Sequence, residues 1–144
     1  MSENSGKLTS LAVIIARGHY NNFVQVCTLL MACVVSDIKV RVFVRDEAVL
    51  KLTKEGSRQI NLSEGLRGQE AQVKERLAKY KLSDLPQLLR DVKAQGDVKI
   101  SVCTSSMAIC GVTQEELIPE VDDVRGLTSF LLEEMSQADH VLTF

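Results

Sequence analysis

The run Leu11-Ala-Val-Ile-Ile-Ala16 is apolar at every position and is bounded by Arg17-Gly18. A strand with one wet face would alternate polar and apolar residues, so an unbroken run predicts a strand covered on both faces of a parallel sheet. Parallel neighbours need crossover connections, usually helices, and the rest of the chain supplies that rhythm. Ile38–Val44 reads as a second strand and Val98–Val102 as a central one. Val121–Val124 reads as a brief strand, and His140–Phe144 as the last. Between them lie helical patterns. One starts at Asn21 or Asn22 and runs to about Ser36, and a short one spans Asp46–Leu52. Glu70–Leu82 carries Val73, Leu77 and Tyr80 on a stripe, and a helix capped by Ser83 has Pro86 in its first turn and ends at Gly96. Thr113-Gln-Glu-Glu116 is a capping box whose helix stops at Pro119. Gly126 leads into a last helix with Leu127, Phe130, Leu131, Met135 and Ala138 at helical spacing. The expectation is one α/β domain over residues 1–144, frayed over 1–8. It has three layers, α/β/α, around a mostly parallel sheet of about five strands.

Composition narrows the class. With 144 residues, 45% of them apolar, the chain can bury a full core without covalent staples. Its 17 basic and 19 acidic residues are interspersed, and no basic stripe or aromatic ladder marks a nucleic-acid surface. The first residues, Met1 to Lys7, lack the basic-then-apolar order of a signal peptide. The most apolar run, Val26–Val35, has ten residues and is too short to span a bilayer. These features predict a cytoplasmic protein that binds neither membrane nor nucleic acid. Four cysteines with no CxxC pair, and two distant histidines, argue against structural zinc. Neither of the common glycine-rich phosphate cradles occurs. The first helix is apolar almost all round, which calls for a partner on each side. In so small a domain that suggests a second subunit, and hence a homo-oligomer (dimer, trimer or hexamer).

The candidate chemistry lies at the end of the central strand, where the chain passes from Val98–Val102 into Cys103-Thr-Ser-Ser106. A strand running into a helix puts Cys103 at the sheet's C-terminal edge, where crevices form in open α/β sheets. Free N–H groups of the next turn, contributed by Thr104, Ser105 and Ser106, favour thiolate over thiol. The bland reading, a small buried hydrophobe, stands beside it. Cys110, seven residues on and just before Gly111, is the second candidate. Direct pairing with Cys103 requires unwinding, since seven helical residues span roughly 10 Å. His19 and Tyr20 follow the first strand and should reach the same edge, as supporting residues. Arg17 and Arg45 at strand ends, and Arg58 and Arg67 in the Glu55–Gln69 loop, are candidate sources of positive charge. That loop is a candidate gate. Cys27 and Cys33, on the apolar helix, read as inert core thiols.

Cys103-Thr-Ser-Ser-Met-Ala-Ile-Cys-Gly111, with Val112–Ile118, Gly126 and Ala138–Phe144 after it, resembles the DsrE/DsrF family of small sulfur-relay proteins. The resemblance is weaker over the first half and weakest between Lys54 and Ala71. It implies a DsrE-like domain of flavodoxin/Rossmann-like topology in which Cys103 carries sulfur as a persulfide. Sulfur-donor and sulfur-acceptor proteins would then be the partners, with no metal or organic cofactor. Two other classes stay open: a thiol redox or peroxide-sensing protein cycling Cys103 and Cys110, and a non-catalytic oligomeric assembly module.

Overall fold

The opening apolar run forms β1 (Ser10–Ile15), and every residue of it after Ser10 is buried. The computed structural model describes residues 6–144, so most of the stretch expected to fray lies outside the described residues. Leu8, at the end of that stretch, already packs against the core. The chain continues through α1 (Tyr20–Val35), β2 (Lys39–Val44), α2 (Glu70–Lys79), α3 (Leu85–Gln95), β3 (Val98–Cys103) and α4 (Thr104–Cys110). It closes with β4 (Asp123–Arg125), α5 (Leu127–Glu133) and β5 (His140–Thr143). The five strands are all parallel, in the order β4-β3-β2-β1-β5.

That order decides how the faces are covered. Crossovers between parallel strands are right-handed, so connections that step the same way across the sheet fall on the same face. The steps β1 to β2 and β2 to β3 run one way, and α1 and α3 lie together over Leu11, Val13, Ile15, Val40, Val42, Val44, Val98, Ile100 and Val102. The return from β4 to β5 crosses the whole sheet the other way, and α5 alone makes it. Beneath it is a small cluster of Ala12, Ile14, Phe43, Cys103 and Phe130. One face therefore has a deep core, and the other a thin cover whose Leu131 and Leu132 face solvent.

Five expectations change. Much of the second side of α1 is met by α3 of the same chain, so burial of this helix does not by itself require a second subunit, although Val35 at its end stays exposed. The cap of α3 is Asp84, not Ser83: its Oδ1 accepts the Gln87 amide at 3.2 Å, with Pro86 in the first turn as expected. The helix before it ends at Lys79 because Lys81 takes φ +60°, a left-handed geometry that helical residues do not adopt. The capping box is present, with the Thr113 amide donating to Glu116 Oε1 at 2.8 Å, but it heads only a short 3-10 turn. The brief strand sits two residues later than expected. Asp122, just before it, accepts the Ile100 amide at 2.7 Å and pairs with Lys93.

Candidate functional site

Cys103 is the last residue of β3 and the N-cap of α4, in extended geometry (φ −74°, ψ 124°). Strand alternation turns its side chain to the α5 face, since Val98, Ile100 and Val102 take the other. Its Sγ lies 3.2 Å from the Ser105 hydroxyl. Burial pushes the thiol up, but the hydroxyls and amides of Ser105 and Ser106 outweigh it, so Cys103 ends below its ordinary value. The Ser106 hydroxyl is free to donate because its oxygen already accepts the Asp46 amide at 2.7 Å. Asp46 takes φ +54°, so this hydrogen bond also holds a strained turn after β2 against α4.

The residue is only 3% exposed. Thr104 and Ser105, which follow it, are exposed, so the sulfur lies one layer beneath the surface. Every other member of its cluster except Phe130 comes from the sheet, which makes α5 and the turn after it the cover. Phe130 stacks on Phe43 with ring centroids 4.8 Å apart. In register, Cys103 is paired with Arg125 of β4, so the two side chains share this face. The Arg125 guanidinium binds Ser129 Oγ, Glu134 Oε2 at 2.9 Å and Glu133, and lies 6.0 Å from the centre of the Phe130 ring. Sequence reasoning missed Arg125, Phe130 and Glu134, because only the strand order brings them over β3.

Cys110 ends up elsewhere. It is half-buried at the far end of α4, packs against the main core, and lines a cavity of about 380 Å³. Its Sγ faces the Asp46 carbonyl at 3.8 Å. Cys103 caps the seven-residue α4 and Cys110 is its last residue, so a direct disulfide requires α4 to unwind. All four cysteines are free. Burial raises Cys33 and pushes Cys27 up to about 12, in keeping with inert core thiols.

The cavity's inner wall is Lys51, also 3% exposed. Its Nζ donates to the carbonyls of Gln59 at 2.6 Å and Gly56 at 3.2 Å, and to Asn61 Oδ1. All three acceptors are neutral, and burial lowers the amine to about 8. Asn61 in turn donates to the Gly18 carbonyl at 3.3 Å, and Asn21 pairs with Ser63. The Glu55–Gln69 stretch is thus pinned over its first half and walls the Cys110 cavity, whereas α5 covers Cys103. A lysine in a short acidic-led turn carries no sequence signal of burial.

The supporting residues divide. Tyr20 is fully buried in the main core, and its hydroxyl donates to the Leu82 carbonyl at 2.7 Å, so it is turned away from Cys103. His19 is the N-cap of α1 and half-buried, with no side-chain capping bond. Arg17, Arg45, Arg58 and Arg67 are all exposed, and Arg67 pairs with Glu64 of its own turn. The donors that lower Cys103 belong to α4 itself. Among the described residues no group of three His, Cys, Asp or Glu could hold a metal ion, and no helix is long and apolar enough to cross a membrane.

A five-stranded parallel α/β domain with a hydrogen-bonded thiol at the C-terminal end of an interior strand is the class these features define. Within it, the chain belongs to the DsrE/DsrF-like family, whose model matches residues 9–144. Among solved structures, it is similar to MTH1491, a protein of unknown function from Methanobacterium thermoautotrophicum. The two are 12% identical with a TM-score of 0.60, over 93% of this chain and 98% of the other. That likeness concerns the fold. No curated protein matches the chain.

Proposed function

We propose that the protein is a sulfur carrier that accepts sulfane sulfur on Cys103 as a persulfide and hands it to a partner protein's thiol. Family membership fits sulfur relay in general. The observation that carries the finer reading is the Cys103 sulfur itself: a buried thiol that the Ser105 and Ser106 donors nevertheless hold below its ordinary value. A thiol kept only for packing would be pushed the other way, as Cys27 is.

The chemistry needs only thiol exchange. The Cys103 thiolate attacks the outer sulfur of a donor persulfide, the donor S–S bond breaks, and the donor leaves as a thiolate. The partner's thiolate then attacks the outer sulfur on Cys103, which departs as a thiolate again. Donor hydrogen bonds from Ser105 and Ser106 stabilise that leaving thiolate in the second step, so the groups that activate the nucleophile also speed its release. Sulfur-donor and sulfur-acceptor proteins are the partners this requires.

The test is intact-mass and peptide mapping after incubation with polysulfide. Wild type and Cys110→Ser should gain about 32 Da on Cys103, the mass of one sulfur on the oxidation ladder of thiols. Cys103→Ser should gain nothing. Label surviving in Cys103→Ser, or absent from all three proteins, refutes the assignment.

A further inference from the structure

The site is built so that its thiol is shut off from any large reactant. A partner's thiol has to reach the outer sulfur on Cys103, yet the residue lies beneath α5. The segment Gly126–Ala138, between β4 and β5, is attached lightly for a piece of core. Phe130 is the only fully buried side chain in α5, with Met135 and Ala138 packing partly beneath the following turn. Its second attachment is electrostatic. Glu134 lies between two arginines from the strands that flank β3, with Oε2 at 2.9 Å from Arg125 of β4 and Oε1 at 3.6 Å from Arg41 of β2. Arg125 also holds Ser129 and Glu133. The two ends are fixed. Residues 123–125 pair with β3, and the Asp139 carboxylate accepts the Thr9 and Ser10 amides at 2.8 and 3.1 Å.

We propose that α5 is a lid over Cys103, closed by Phe130 on Phe43 and latched by Glu134 between Arg41 and Arg125, and that its opening sets how fast a reactant reaches the sulfur. A segment with one buried anchor opens at a small fraction of the cost of global unfolding. The donors that activate the thiol sit on α4, outside the lid, so an open lid exposes the sulfur with its hydrogen bonds kept. As regulation of the same thiol, the proposal rests on the sulfur-carrier reading. Its test, however, reads access and not sulfur.

The four thiols provide internal references. Native protein is treated with N-ethylmaleimide, and labelling of each cysteine is followed by peptide mass spectrometry. Cys110 should label fast, Cys103 slowly, and Cys27 and Cys33 slowest, since the last two require the main core to open. Glu134→Gln removes the charge with little change of shape. It should speed Cys103 labelling about tenfold, the scale of one charge-assisted hydrogen bond, and leave Cys27 and Cys33 unchanged. Phe130→Leu should act in the same direction. Cys103 labelling that keeps pace with Cys27 and Cys33 in every variant would overturn the lid, because access would then need global unfolding. So would a Glu134→Gln rate equal to wild type, or wild-type Cys103 labelling as fast as Cys110. Polysulfide loading of the same variants separates the two proposals: a lid response with sulfur absent from Cys103 refutes the carrier alone.

Discussion

Ser105→Ala is the most direct probe of the Cys103 thiolate. The Ser105 hydroxyl lies 3.2 Å from Sγ and is the first of the groups that draw the thiol down against its burial. A hydrogen bond to a charged group contributes about 1.5–3 kcal/mol, and about 1.4 kcal/mol corresponds to one pKa unit. The amides of Ser105 and Ser106 and the Ser106 hydroxyl remain, so the expected rise is about one unit, at the lower end of that range. Ser106 is the poorer target, because its oxygen also holds the Asp46 amide. The assay is the pH dependence of Cys103 alkylation by iodoacetamide. Lid opening scales the whole curve and leaves its midpoint alone, so the midpoint reports the thiol. It should move up by about one unit, and the rate at neutral pH should fall about tenfold, in line with the lost thiolate fraction. Stability carries the same sign. A thiol lowered by folding adds stability above its unfolded pKa and loses that addition as pH falls through the folded value. Ser105→Ala should therefore cost more stability at pH 10 than at pH 6. A midpoint that stays put or moves down refutes the hydrogen-bond account.

The buried amine gives a second pH signature. Lys51 titrates at about 8 when folded and binds its proton more tightly when unfolded, so stability should rise between about pH 8 and 10.5 relative to Lys51→Met, measured by urea unfolding. Gly56→Ala should destabilise by about 1–3 kcal/mol, because the added Cβ would fall 1.9 Å from the Leu50 carbonyl oxygen; unchanged thermal unfolding would contradict that packing. Lys81→Gly should stabilise by about 1 kcal/mol by relieving a left-handed residue, read from the urea midpoint. Phe130→Ala should cost about 3–5 kcal/mol, the range for deleting a buried aromatic, and a loss under 1 kcal/mol would mean α5 is not anchored there.

Much of the fold was legible because parallel strands and their helices leave strong local patterns. Leu11–Ala16 announced a strand buried on both faces, and the passage of Val98–Val102 into Thr104–Ser106 announced a cysteine at a strand end with donors beside it. Those signals are local, set by residues within one or two turns of each other, and the structure keeps both. Element ends were less legible where one side chain decides them, as with Asp84 in place of Ser83.

Strand order lay outside the reach of pattern. Periodicity identifies a helix that needs cover on two sides, but it cannot say that α3 supplies the cover for α1. It sets Cys103 and Cys110 seven residues apart on one segment, whereas the sheet sends one thiol under α5 and the other into the Lys51 cavity. The sequence by itself placed hydrogen-bond donors beside Cys103, because they come from the next turn of the same chain. The tertiary structure alone decided which side of the sheet that sulfur faces and how little covers it. Right-handed crossovers place α1 and α3 on one face and leave the long return from β4 to β5 to a single short helix on the other.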